Sequence, residues 1–241
     1  MSAAYAFCVA LGVFAAALLA RALPKDDGIP PEVARTVRIA ALGGGVLGAY
    51  LFEAPADLFG LAPPTPDGLA RLGGRTVLGG LLGGTLAVEI AKKVVGFRAP
   101  TGDRFAAPLA VALTFGRLGC VIAGCCPGVV IDARSPFALL SLALHGEPRF
   151  PASWVEACFH GLSAIALVIG AKRGWLRRRH FAAYLASYGV VRFLLELVRD
   201  VPRPFAGLSY YQLLALVVVA LGAWLLVRRV DDVSVAAPLR S

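Results

Sequence analysis

Charge is scarce in this sequence. Only 16% of its 241 residues are Asp, Glu, Lys or Arg, where a soluble domain carries about 25%. That scarcity excludes an ordinary water-soluble fold. Strand-length segments of alternating apolar and polar residues are also missing, which excludes a membrane β-barrel. No basic residue precedes the first apolar block, 2–20, and Ala20-Arg21-Ala22 resembles a cleavage site only loosely. The block therefore reads as a retained first helix and not as a signal peptide. No soluble domain and no tandem repeat stands out, so 1–241 reads as a single membrane domain.

Apolar residues take the place of charge. They make up 58% of the chain, and the mean hydropathy is +0.74. They fall in long blocks bounded by charge, Pro or Gly. A hydrocarbon core of about 30 Å takes about 20 such residues to cross as a helix. A backbone in lipid must satisfy its own hydrogen bonds, and a helix does so. The fold class is thus all-α and membrane-integral, with about seven spans near 3–20, 37–53, 75–91, 105–124, 154–171, 181–198 and 209–227. The second and third are short and Gly-rich. Gly43, Gly44, Gly45 and Gly48, with Gly79, Gly80, Gly83 and Gly84, supply the small-xxx-small spacing of close helix packing. The longest loops, 54–74 and 125–153, are rich in Pro and Gly and show no helical pattern.

The net charge of +9 invites a nucleic-acid reading, but its distribution excludes it. The basic residues sit in short loops, where membrane topology accounts for them. Alternate sides of a seven-span chain hold sixteen and six Lys and Arg. The positive-inside rule assigns the richer side to the cytoplasm. The N-terminus is then outside, the C-terminus cytoplasmic, and both long loops external.

Arg117 and Arg192 fall inside expected spans. A charge in a bilayer costs at least about 2.5 kcal/mol, so it is usually paired or functional. Tyr188, Arg192, Glu196 and Arg199 line one face of the sixth helix. That stripe is either a structural ion pair or the wall of a cavity for an anionic lipid headgroup, for which the guanidinium fork is suited. Arg117 has no carboxylate within a turn, so its partner comes from another helix or from a ligand. Glu156 and His160 are spaced i, i+4, and His160 is a proton carrier or a hydrogen-bonded structural residue. The five cysteines, Cys8, Cys120, Cys125, Cys126 and Cys158, all map to the outer half. Their alternatives are apolar packing, a disulfide, or a metal site. C-x4-C-C is not a standard zinc spacing, so no metal is expected.

Four motifs now resemble one family. They are GRLGCVIAGCCPG at 116–128, RFPASWVEA at 149–157, YGVVRFLLELVRD at 188–200 and LSYYQ at 208–212. Together they resemble the bacterial prolipoprotein diacylglyceryl transferases, and more closely their cysteine-bearing paralogues. The resemblance spans about 37–226 and implies a seven-helix, N-out enzyme of the bacterial plasma (inner) membrane. It implies transfer of the diacylglyceryl group of phosphatidylglycerol to the lipobox cysteine of a prolipoprotein signal peptide, without a cofactor. Carried over by motif, Arg117 and Arg199 are catalytic. Arg192, Glu196, Tyr188, Glu156, Gly119 and Gly128 bind substrate. Cys120, Cys125 and Cys126 are candidates for redox chemistry. The chain departs from the family at Leu78, where well-known members carry His. It departs also at Cys120 and Ala123 in place of Asn, Cys125 in place of an acid, and Ser153 in place of Gln. The competing readings are a non-catalytic or differently specific lipid-binding relative and a membrane thiol-redox protein.

Overall fold

A computed structural model of the chain describes residues 3–23, 28–62, 75–126 and 128–228. Part of the first long loop, 63–74, and the tail from 229 lie outside the described residues. The fold is all-helical. The β pairing among the described residues is two isolated bridges, Val130 with Arg149 and Phe205 with Leu208. The helices are α1 (Ala3–Ala22), α2 (Pro31–Leu51), α3 (Ala54–Leu58), α4 (Val77–Val94), α5 (Asp103–Ile122), α6 (Ala138–His145), α7 (Ala152–Arg173), α8 (His180–Leu195) and α9 (Tyr210–Val227). Six segments are long and apolar enough to cross a bilayer: α1, α2 continued through α3, α5, α7, α8 with the turn after it, and α9. This is a multi-pass membrane protein. The remaining expected span corresponds to α4, an 18-residue helix that carries Glu89, Lys92 and Lys93 near its end.

Three expectations need correction. First, α2 begins at Pro31, so Arg35 and Arg38 lie on its first turns and not in a loop. Proline is well placed there, because the first helical N–H needs no partner and φ is already helical. Second, the long loops contain helix: α3 in one and α6 in the other. Third, α8 stops at Leu195 and runs into a 3-10 turn, Glu196–Val198, leaving Arg199 beyond the helix in extended backbone (φ −109°, ψ 144°). At the start of α9 the sequence Ser209-x-x-Gln212 forms a reciprocal capping box. It satisfies two amide groups that would otherwise be unpaired.

The helices pack as α2 on α4, α1 on α5, α5 on α7 and α8 on α9, with α4 meeting α9 and α8 meeting both α5 and α7. The largest core cluster joins Leu78, Leu81 and Leu82 of α4 to Leu185 and Tyr188 of α8 and Leu214 and Val218 of α9. Large apolar side chains point outward instead, among them Phe7 and Phe14 of α1, Leu42 and Val46 of α2, and Val217 of α9. That is the surface a bilayer covers.

The glycine-rich segments pack as the spacing predicts. A Cβ on Gly48 would stand 2.5 Å from the Gly79 carbonyl oxygen and 2.7 Å from Gly83 Cα. One on Gly83 would stand 2.5 Å from the Gly44 carbonyl oxygen. Backbone cannot yield as a side chain can. Gly48→Val is therefore expected to cost about 1–3 kcal/mol by overpacking. Gly43→Val is expected to cost little, since a Cβ there meets nothing within 4 Å. Thermal unfolding of both variants in detergent, followed by size-exclusion chromatography, checks the contrast. Equal midpoints for the two variants would count against close α2–α4 packing.

Candidate active site

Chain direction alternates from one long helix to the next. The ends of α2, α5 and α8 therefore meet the beginnings of α1, α4, α7 and α9 at one end of the bundle. The side chains confirm the meeting. Gly119 near the end of α5 packs on Tyr5 and Cys8 of α1. The Tyr211 hydroxyl of α9 donates to Glu53 Oε1 after α2 at 2.6 Å. Arg117 of α5 reaches Glu156 of α7.

Glu156 is the centre of a buried polar network. Arg117 Nη2 lies 3.1 Å from its Oε1, and the Tyr188 hydroxyl donates to the same oxygen at 2.9 Å. Arg192 Nε stands 3.7 Å away. Arg192 also donates to Glu196 one turn on, and Arg199 Nη1 approaches that same Glu196 oxygen at 3.6 Å. Arg203 Nη2 closes the outer edge by donating to the carbonyls of Glu196 and Leu197 at 3.1 and 3.0 Å. Glu196 is fully buried, and Glu156 and Arg192 nearly so. Such charges persist in an apolar setting only when paired. The partner that Arg117 lacked within its own turn is thus Glu156, on another helix.

The network keeps unused bonding capacity. Arg117 Nε, Glu196 Oε1, Glu53 Oε2 and Gln212 Nε2 are buried without a hydrogen-bond partner among the described residues. Arg199 sits beyond hydrogen-bond distance of Glu196. Of these buried atoms, Arg117 Nε and Gln212 Nε2 are donors, which suit an anion with several acceptor oxygens.

The remaining predicted residues divide. Tyr188, Arg192, Glu196, Arg199, Arg117 and Glu156 converge. Gly119, two residues after Arg117, is a packing glycine against Tyr5 and Cys8 of α1. Gly128 holds a crossing of three segments: its N–H donates to the Phe150 carbonyl at 3.0 Å, its own carbonyl accepts from Arg149 at 3.3 Å, and a Cβ would strike Val198 O at 2.8 Å. His160 is fully buried in a stack with Phe159, Tyr184 and Tyr188. Its Nδ1 meets the Tyr184 hydroxyl at 2.8 Å, which favours the hydrogen-bonded structural reading over a proton carrier. Leu78 is a core residue with no exposure.

Sequence reasoning missed Glu53, Tyr211 and Tyr184. Glu53 carried a signal, a carboxylate closing an apolar block. Nothing local announced its partner, which lies 158 residues away.

The cysteines also divide. Cys8 is buried on α1 and Cys158 is exposed on α7. Cys120, Cys125 and Cys126 come together, with their sulfurs all within 4.8 Å of one another. The turn that joins them is built: Cys125 N–H donates to the Cys120 carbonyl at 3.1 Å, and Ser153 Oγ reaches the carbonyls of Cys125 and Cys126 at 3.4 Å. The adjacent Cys120 and Cys125 thiols hold the Cys126 thiol well below its ordinary value, against burial, with Arg117 and Arg199 adding to the effect. Cys120 first, then Cys126 and burial, push the Cys125 thiol up.

The sequence profile of the prolipoprotein diacylglyceryl transferases matches residues 3–228. The chain belongs to the prolipoprotein diacylglyceryl transferase family. A phosphatidylglycerol–prolipoprotein diacylglyceryl transferase of Clostridium tetani (strain Massachusetts / E88) is 30% identical over 228 residues, covering 90% of this chain and 89% of that protein. One of Geobacter sulfurreducens (strain ATCC 51573 / DSM 12127 / PCA) is 34% identical over 209 residues, covering 81% of this chain and 77% of that protein. One of Janthinobacterium sp. (strain Marseille) is 31% identical over 185 residues. In this member of the prolipoprotein diacylglyceryl transferase family, the motifs at 116–128, 149–157 and 188–200 each contribute charged side chains to the single network around Glu156 and Glu196.

Proposed function

We propose that this protein moves the diacylglyceryl group of phosphatidylglycerol onto the lipobox cysteine thiol of a prolipoprotein signal peptide. The observation that carries the reading is the convergence of Arg117, Arg192 and Arg199 on Glu156 and Glu196 at one end of an apolar bundle. The chemistry explains why such a site suits the task. The acceptor sulfur attacks the glyceryl carbon that bears the phosphate. A C–S bond forms, the C–O bond breaks, and its electron pair stays on the phosphate oxygen. A phosphodiester with one negative charge leaves as a glycerol phosphate with two. The thiol's proton passes to water or to the departing glycerol phosphate, and positive charge nearby favours the thiolate.

In this reading Arg117 and Arg199 meet the growing charge with forked donors in a water-poor site. Tyr188, Arg192, Glu196 and Glu156 hold those guanidiniums in place and shape the lipid cavity, with Gly119 and Gly128 keeping its walls close. The reaction needs no cofactor. The protein works with seven spans, α4 included, in the bacterial plasma membrane. Its N-terminus and the loops 54–74 and 125–153 face outward, and its C-terminus is cytoplasmic. The basic ends of α4 and α7, Lys92, Lys93, Lys172 and Arg173, support that orientation.

One assay tests the activity. Detergent-purified protein is mixed with phosphatidylglycerol and a lipobox peptide, and the peptide is weighed by mass spectrometry. The expected product carries one diacylglyceryl group on its cysteine. Lipid that co-purifies without any peptide gaining mass would favour a lipid-binding relative. Reporters fused after Arg229 and within 125–153 test the orientation: the first is expected in the cytoplasm and the second outside.

A further inference from the structure

We propose that Cys120, Cys125 and Cys126 form a binding site for one soft, thiophilic metal ion of the Zn(II) or Cu(I) kind. Three thiols from one short turn converge so that each sulfur lies within 4.8 Å of the other two. Zinc–thiolate bonds of about 2.3 Å put three sulfurs around one ion roughly 3.8–4.0 Å apart. A small closure of the turn reaches that spacing.

The geometry of the turn suits such a site. Cys126 adopts φ 59°, a left-handed conformation that a side chain rarely takes without compensation. It lets two adjacent residues aim their sulfurs the same way. Ser153 Oγ of α7 lies 3.4 Å from both of their carbonyls and shares its one proton between them, and Cys120 is fixed by the last turn of α5. A disulfide uses two sulfurs and leaves the third without a function. A metal ion uses all three. Thiolate donors select soft ions over magnesium or calcium.

Charge and access also fit. Three thiolates around a divalent ion carry one net negative charge, and around a monovalent ion two. Arg117 stands one turn before Cys120 on α5 and brings positive charge near the cluster. Cys120 is buried whereas Cys125 is exposed, so the ion would be anchored from inside and open outward. That leaves a fourth position for water or another ligand. Binding displaces thiol protons. The cluster adjoins Arg117, and the proposal does not depend on lipid transfer.

The test uses tag-free, detergent-purified full chain, reduced anaerobically with a phosphine. Zn(II), Co(II) and acetonitrile-stabilised Cu(I) are the probes. The expected result is about one equivalent of metal retained after desalting, with proton release on binding and sulfur-to-cobalt charge-transfer absorption in the near ultraviolet. Cys120→Ser, Cys125→Ser and Cys126→Ser are each expected to weaken binding at least about tenfold, since even indirect support of a ligand is worth that much. Cys158→Ser leaves it unchanged. Cys125 is exposed, so its variant is expected to fold, and an unchanged elution profile and melting midpoint verify this. Retention of metal by the triple serine variant overturns the site. So does a reduced, folded wild type that takes up none of the three ions, or a disulfide between two of these cysteines in the metal-treated protein.

Discussion

Replacing Arg117 or Arg199 by lysine is expected to lower diacylglyceryl transfer by at least about a hundredfold, the scale of a lost oxyanion donor. The substitution keeps the charge and removes the fork. Arg117 uses one arm on Glu156 at 3.1 Å and keeps a buried Nε without a partner. Arg199 stands 3.6 Å from Glu196, attracted but not hydrogen-bonded. Both guanidiniums thus have donors to spare for a phosphate whose charge grows as the C–O bond breaks. Lysine cannot span a carboxylate and a phosphate oxygen at once in fixed geometry. The loss should fall on turnover more than on lipid affinity, because the extra charge exists only late in the reaction. Initial rates over a range of phosphatidylglycerol concentrations, on variants with wild-type melting behaviour, measure this. Wild-type rates in both lysine variants would make these arginines structural.

Glu156→Gln is expected to be the most damaging substitution for stability. Its carboxylate serves Arg117, Tyr188 and, at longer range, Arg192. Removing its charge leaves two guanidiniums facing each other across an apolar interior. Breaking a buried ion pair by removing one partner costs about 3–5 kcal/mol. Arg192→Ala follows the same logic from the other side, since it strips Glu196 of its nearest cation. The two variants are expected to express poorly and to melt well below wild type in detergent, whereas the Arg117→Lys protein melts near it. If Glu156→Gln melts like the parent, the network does not hold α5, α7 and α8 together.

Helix positions were legible because they depend on local properties. A bilayer-length apolar block with few charges has one stable form in lipid, and its limits are marked by charge, Pro and Gly. The expected spans accordingly agree with the observed helices to within a few residues, except at α2, where helical charged residues near the N-terminus looked like loop. Short amphipathic pieces such as α3 and α6 escaped notice because five and eight residues are too few to display a period. The end of α8 was placed too late because the Glu196–Val198 segment keeps helical composition while tightening into a 3-10 turn.

By itself, then, the sequence determined that this is a multi-pass helical membrane protein, where its long helices lie, that its glycine-rich segments pack closely, and which arginines are out of place in lipid. Only the tertiary structure decided what those arginines meet. Arg117 pairs with Glu156 on α7, Tyr211 with Glu53, and three cysteines of one turn with each other. The physical reason is that these pairings depend on how each helix is rotated and how deeply it seats. That is set by contacts such as Gly48 on Gly79 and Gly119 on Tyr5, between residues far apart in the chain. Spacing along one helix specifies a face, and the packing of several specifies what that face touches.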